Sequence, residues 1–178
     1  MSKFLILILI AFSSSSFATQ QIKETFIVDG VSQGIESNPL ETLFTFEEIH
    51  LMLDSKGLCS ANWRGYQGTW ELKDGELFLN SFVKGACSDN PPSIDPVLFF
   101  GEEEYPVKAK WFNATIELRL SENQYTECVT PNGEEVTTGY SYDAMVYEFS
   151  AGDFVYKSKK SIKHVWQRNL TSCTNGTK

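Results

Sequence analysis

Side chains that could move a proton, attack a carbon or hold a metal are scarce in this chain. His50 and His164 are its only histidines, one in an apolar stretch and the other in a basic one. Each reads as a structural or surface residue. Nucleophilic catalysis needs a hydroxyl or thiol beside an oriented imidazole; Gly30-Val31-Ser32-Gln33-Gly34 has the Gly-x-Ser-x-Gly spacing, but it leads from a predicted strand into a polar loop and not into a helix, so it does not read as a nucleophile elbow. It also lacks a glycine-rich loop with the spacing that cradles phosphate. Glu71 and Glu117 are acids on predicted strands whose separation the sequence does not set, so a glycosidase pair has no support beyond residue type. The acidic run Glu102-Glu103-Glu104 lacks the alternating ligand spacing of a calcium loop, because consecutive carboxylates point in different directions. The sequence therefore predicts no catalytic residue, no metal and no cofactor, and a protein that is not an enzyme.

Residues that grip a partner are better represented. In Trp63-Arg64-Gly65-Tyr66, two aromatic rings and a guanidinium surround a glycine that permits close backbone approach. Trp, Tyr and Arg are the residue types that dominate binding hot spots. The competing reading places Trp63 and Tyr66 in the core and pairs Arg64 with an acid such as Glu48 or Glu71. Trp63, Arg64, Tyr66, Glu102, Glu103 and Glu104 are the candidate binding residues.

Charge narrows the kind of partner. Fifteen basic residues against 23 acidic give a formal charge of −8, which offers no overall attraction to nucleic acid. The start of the chain reads as an export signal: Lys3, an apolar run from Phe4 to Phe12, four serines and then Phe17-Ala18. That run is well short of the ~20 residues that cross a bilayer. Cleavage after Ala18 is expected, with no membrane span in the mature form and a periplasmic or extracellular destination. Loss of residues 1–18 removes Lys3 and no acid, leaving 14 basic against 23 acidic residues, a charge of −9. The imbalance is uneven, since residues 157–178 hold six basic residues and no acid. The expected organisation is a signal peptide at 1–18, a β-rich domain at 19–156 and a basic C-terminal segment at 157–178.

The four cysteines, Cys59, Cys87, Cys128 and Cys173, contain no Cys-x-x-Cys pair, and in an oxidising compartment an even count reads as disulfides. Counting outward from the turn at Asp74-Gly75 brings Cys59 and Cys87 together. Cys128 with Cys173 follows by default, each link contributing ~3–4 kcal/mol through the loop it closes.

The elements that must position these residues are mostly strands. Tyr66 to Leu79 alternates on both sides of Asp74-Gly75 and predicts a hairpin. Ile22 to Val28 predicts a strand that stops at Asp29-Gly30 and is followed by a polar loop. Asn38-Pro39 opens a short helix, and residues 46–53 fit either its continuation or a strand. Residues 85–106 read as a long polar, proline-rich excursion. Val107 to Leu120 predicts strand with a change of phase at Trp111-Phe112, which calls for a bulge or bend. Two more hairpins flank Pro131-Asn132-Gly133 and Ala151-Gly152-Asp153, and 162–168 reads as a last short strand or helix. The fold class is mainly β: one domain, with a curved antiparallel sheet, barrel or sandwich and one short helix near the N-terminus.

Asn62-Trp63-Arg64-Gly65-Tyr66, then Thr69-Trp70-Glu71, Asp74-Gly75 and Leu77-Phe78-Leu79, resembles the signature of a family of small, functionally uncharacterised bacterial proteins. Asn38-Pro39-Leu40-Glu41, Val107 to Phe112 with Ala114-Thr115, and Tyr147-Glu148 extend the resemblance over residues 38–153. It implies a bacterial source and no activity, because that family offers no catalytic or binding residues to carry over.

A small disulfide-stapled β scaffold, an acidic exterior and a long acidic loop together point to an exported binding protein. An inhibitor or immunity protein that neutralises a basic protein partner fits these features. A β-barrel carrier of a small apolar ligand, motivated by aromatic content and Gly68-x-Trp70, and an envelope structural module are the alternatives.

Overall fold

The computed structural model describes residues 20–54, 58–102, 104–170 and 173. The expected signal peptide lies outside them. The strands are β1 (Glu24–Val28), β2 (Val31–Ile35), β3 (Tyr66–Lys73), β4 (Glu76–Lys84), β5 (Val107–Lys108), β6 (Thr115–Arg119), β7 (Gln124–Val129), β8 (Glu135–Ser150) and β9 (Asp153–Val165). Short helices α1 (Phe46–Met52), α2 (Val97–Phe100) and α3 (Gln167–Leu170) and a 3-10 turn at Pro39–Thr42 lie between and after them. All strands join one sheet in the order β2-β1-β3-β4-β9-β8-β6, with β5 on β4 and β7 on β8.

The domain is mainly β and single, as the turn spacing predicts. The sheet is curved but open, and it is mixed, because β1 runs parallel to β3. Its edge strands β2 and β6 approach within 8 Å between Cα atoms without pairing. The curvature carries Phe26 of β1 across the interior to Tyr147 and Phe149 of β8, at ring centroid distances of 5.5 and 6.5 Å. Phe26, Trp70, Leu77, Leu79, Phe112 and Ile116 are fully or almost fully buried around that contact.

The β3–β4 hairpin forms in the expected phase, with Tyr66, Gly68 and Trp70 inward and the turn at Asp74-Gly75. Other segments differ from expectation. Residues 31–35 are not loop but β2, laddered to β1 across Asp29-Gly30; four of its five residues are exposed, so no burial pattern announces it. Asn38 does not cap a helix with its side chain. The capping box is supplied instead by Thr45 and Glu48, and α1 starts at Phe46.

The excursion at 85–106 does not project. Ile94 donates its N–H to Phe82 at 2.8 Å, and α2 sets Phe99 in the core 5.2 Å from Phe82 and 5.7 Å from Phe44. The phase change at Trp111-Phe112 is a corner between two strands: β5 pairs with β4 and β6 pairs with β8. Finally, the boundary expected at residue 157 falls inside β9, so the basic segment is strand as far as Val165 and only then turns into α3.

The 109–113 corner and the β8–β9 turn lock onto each other. Gly152 donates to the Phe112 carbonyl at 3.0 Å and accepts from Leu77 at 2.8 Å, while Ala151 donates to Asn113 Oδ1 at 2.8 Å. Gly152 has φ +78°, and a β-carbon there would sit 2.6 Å from the Ala109 carbonyl oxygen. Gly152→Ala combines left-handed strain with backbone overlap. It is expected to cost roughly 2–4 kcal/mol, read as a lowered urea midpoint at unchanged slope. A loss within about 0.5 kcal/mol would mean that this corner does not constrain the fold.

Candidate interaction site

Between α1 and β3 the chain makes a tight loop that alternates between buried and exposed residues. Asn62 is buried, and both ends of its amide are satisfied inside the loop: Nδ2 donates to the Tyr66 carbonyl at 3.0 Å and Oδ1 accepts from Gly65 N–H at 3.1 Å. Its backbone also closes on Cys59, N–H to carbonyl at 2.9 Å. A buried amide with all of these bonds made stabilises one loop conformation over others. Gly65, at φ +75°, turns the chain back towards β3. A side chain there would be strained, which explains a glycine between Arg64 and Tyr66.

Arg64 points inward. Its guanidinium donates to Asn38 Oδ1 and to the Ile22 carbonyl, both at 2.6 Å, and lies 5.8 Å from the Tyr66 ring centroid. It does not pair with either acid anticipated for it. Glu48 is engaged in the capping box, where the Thr45 bonds hold its carboxyl below the usual range, and Glu71 accepts from Asn80 at 2.6 Å. The Asn38 side chain is thereby drawn away from helix capping. Residues 21–22 run along the same loop: Gln21 accepts from Trp63 N–H at 3.1 Å and donates to the Ser60 carbonyl at 2.8 Å, and Ile22 N–H bonds Ala61 at 2.7 Å.

With Asn62 and Arg64 turned in, Trp63 is turned out. It is 69% exposed, so the competing reading that places both rings in the core holds for Tyr66, at 1%, and not for Trp63. Trp63 lines an open groove of about 380 Å³ with Phe46, His50, Leu58, Cys59 and Ser60. His50 Nε2 sits 3.2 Å from the Trp63 carbonyl, and its ring lies 4.0 Å from that of Phe46. A second groove, of about 440 Å³, continues past Leu58 and Cys59 to Cys87, Lys84 and Pro92. Lys84 donates to the Leu53 carbonyl at the end of α1, which ties the groove wall to β4. Cys59 and Cys87 are placed at disulfide distance with Cα atoms 6.6 Å apart, as expected from the hairpin count, and Cys128 and Cys173 with Cα atoms 6.0 Å apart, the pairing expected by default.

The acidic run is not part of this groove. Glu102 lines a different one with Phe100, Lys110 and Trp111; Glu104 is exposed, and Glu103 lies outside the described residues. The other histidine, His164, stacks on Tyr140 at 4.6 Å on the β8–β9 hairpin. Among the described residues no three His, Cys, Asp or Glu side chains gather as a metal site, and no helix is long and apolar enough to cross a membrane.

Beneath the loop is a buried acid that the sequence reading missed. Glu24 on β1 is fully buried, Trp70 Nε1 donates to its Oε2, and its Oε1 has no hydrogen-bond partner among the described residues. Burial pushes its carboxyl up to about 8, against the opposing influence of Trp70 and Arg64. Burial also raises the Tyr66 hydroxyl, which donates to Glu41 at 3.4 Å and lies within reach of Glu24. The available signal is phase: Glu24, Phe26 and Val28 occupy the inward positions of one strand, so the acid stands where an apolar residue is expected. A neutral Glu24 between an indole and a phenol is a structural hydrogen-bond group. Its carboxyl has no exposed surface.

No family model, curated protein or solved structure matches the chain.

Glu24 makes stability depend on pH with a definite sign. The folded protein keeps the proton up to about 8, while the unfolded chain gives it up near 4.5. Between those values unfolding releases a proton, so rising pH favours the unfolded state. Urea titrations should show stability falling across that interval in the wild type and a flatter profile in Glu24→Gln. A wild-type profile that is level or rising there would contradict a neutral buried Glu24.

Proposed function

We propose that this chain is an exported, non-enzymatic binding protein that engages a basic protein partner at the Trp63 groove, as an inhibitor or immunity protein would. The observation that carries the reading is an exposed indole on a loop whose backbone and neighbours are individually hydrogen-bonded. Solvent-facing Trp, Phe46 and Leu58 around one depression provide the apolar centre of an interface. Because the loop is already ordered, little conformational entropy is lost when it docks. Glu47 and Glu48, in the first turn of α1 next to Phe46, place negative charge beside the groove, in keeping with the formal charge of −8. Two cysteine pairs at disulfide distance accord with an oxidising, extracytoplasmic setting.

The carrier reading has less support. The concave side of the sheet is filled by Phe26, Trp70, Phe112 and Phe149, which occupy the space a carried ligand would need.

Mature chain immobilised at low salt is expected to retain a basic protein from periplasmic or secreted fractions of its own source. Titration of the purified pair should then lose about 30-fold in affinity, ~2 kcal/mol, on Trp63→Ala. Phe46→Ala should weaken it in the same direction. Equal affinity for wild type and Trp63→Ala, or a retained partner that is acidic, would remove the basis for this reading.

A further inference from the structure

We infer that β9 is a docking edge for an extended acidic segment of a partner protein, which adds to the sheet as a further strand. This surface is separate from the Trp63 groove and does not depend on it. β9 meets β4 at a single pair, Glu76 with Asp153, and Phe154 N–H donates to Gly75 at 2.8 Å. Gly75 belongs to the β3–β4 turn, so β9 runs past the end of that hairpin. Among the described residues it is paired from Val155 to Val165 on one side only, with β8. Ten of the 13 residues of β9 are exposed, including Val155, Tyr156 and Val165.

The described part of the tail does not cover this edge. After β9 the chain crosses β8: Trp166 N–H donates to Thr138 at 2.8 Å, Asn169 Nδ2 donates to Thr137 at 2.7 Å, and Cys173 reaches Cys128 of β7 on the far side. The Trp166 bond also sets which backbone groups are free. Register with β8 is unbroken from Tyr156 to Val165, and N–H direction alternates along an antiparallel strand. Even-numbered residues therefore donate towards β8, and Lys157, Lys159, Ser161 and Lys163 direct their N–H groups to the open side.

Side-chain charge selects the occupant. From Val155 to Val165 the strand holds four lysines and no acid. Lys157 lies 4.0 Å from Asp29 and Lys159 2.7 Å from Asp143, while Lys160 and Lys163 make no ion pair among the described residues. Lysines on an edge strand deter pairing with a like strand. A second copy of this chain, set antiparallel on β9, would bring lysines against lysines. An extended segment with Glu or Asp in its place gains backbone bonds and cross-strand charge pairs together.

The test uses the mature protein and an acetylated, amidated decapeptide of alternating Glu and Thr. Saturable binding is expected, with at least tenfold slower amide exchange at Lys157, Lys159, Ser161 and Lys163. Ser161→Pro removes one outward donor without touching the β8 ladder, and should weaken binding at least tenfold while leaving the thermal midpoint near that of Ser161→Ala. Lys160→Glu/Lys163→Glu should weaken it at least tenfold and reduce its salt dependence. Should Ser161→Pro fail to fold, the exchange pattern of the wild type decides by itself. No saturable binding, protection confined to other residues, or full affinity in folded Ser161→Pro would overturn strand addition. So would self-association of the free protein that Ser161→Pro abolishes, because the edge would then belong to a second copy.

Discussion

A guanidinium does not shed its charge when it is taken from water, so an inward-facing arginine must find fixed acceptors. In this protein that requirement is met for two of the three guanidinium nitrogens of Arg64, while its Nε has no partner among the described residues. Arg64 binds the Asn38 side chain and the Ile22 carbonyl, and so joins the β1 lead-in, the 3-10 turn and the loop before β3 at one point. Asn62 completes the arrangement from within the loop. Once these two polar side chains face inward, the residue between them has only solvent to face, and the exposure of Trp63 follows from its neighbours.

The same region holds a second, opposing constraint. Glu24 is buried near Arg64, yet Trp70 supplies its hydrogen bond and desolvation keeps it neutral. An ionised carboxylate would be drawn towards the guanidinium and compete with Asn38 and Ile22 for its donors. A neutral one leaves Arg64 with those two acceptors. Thus the pinned loop and the buried acid form one polar layer between the aromatic core and the surface, in which each group's partners limit what the others can do.

How much of this was legible in sequence depends on whether burial left a periodic trace. The β3–β4 hairpin and the cysteine pairing were readable, because Tyr66, Gly68 and Trp70 share one inward face and Asp74-Gly75 sets the count on both sides. Asn62 to Tyr66 was readable as a cluster, but its in-and-out order was not. That order comes from a loop amide and from a carbonyl at residue 22, distant in sequence. β2 and the middle of β9, residues 157–161, left no pattern, since strands exposed along most of their length look like polar loop or basic tail. Residues 85–106 misled in the other direction: prolines and acids mask the Val97-Leu98-Phe99-Phe100 turn that packs Phe99 into the core.

Binding through Trp63 requires that the indole be displayed by a loop that is ordered before any partner arrives. Backbone ¹⁵N relaxation of the free protein measures this directly. The Trp63 amide is expected to show an order parameter of about 0.85, equal to that of β3 and β4. A value below about 0.6, with β3 and β4 rigid, would show that the indole rides on a mobile loop and that the hydrogen bonds around it do not hold it in place.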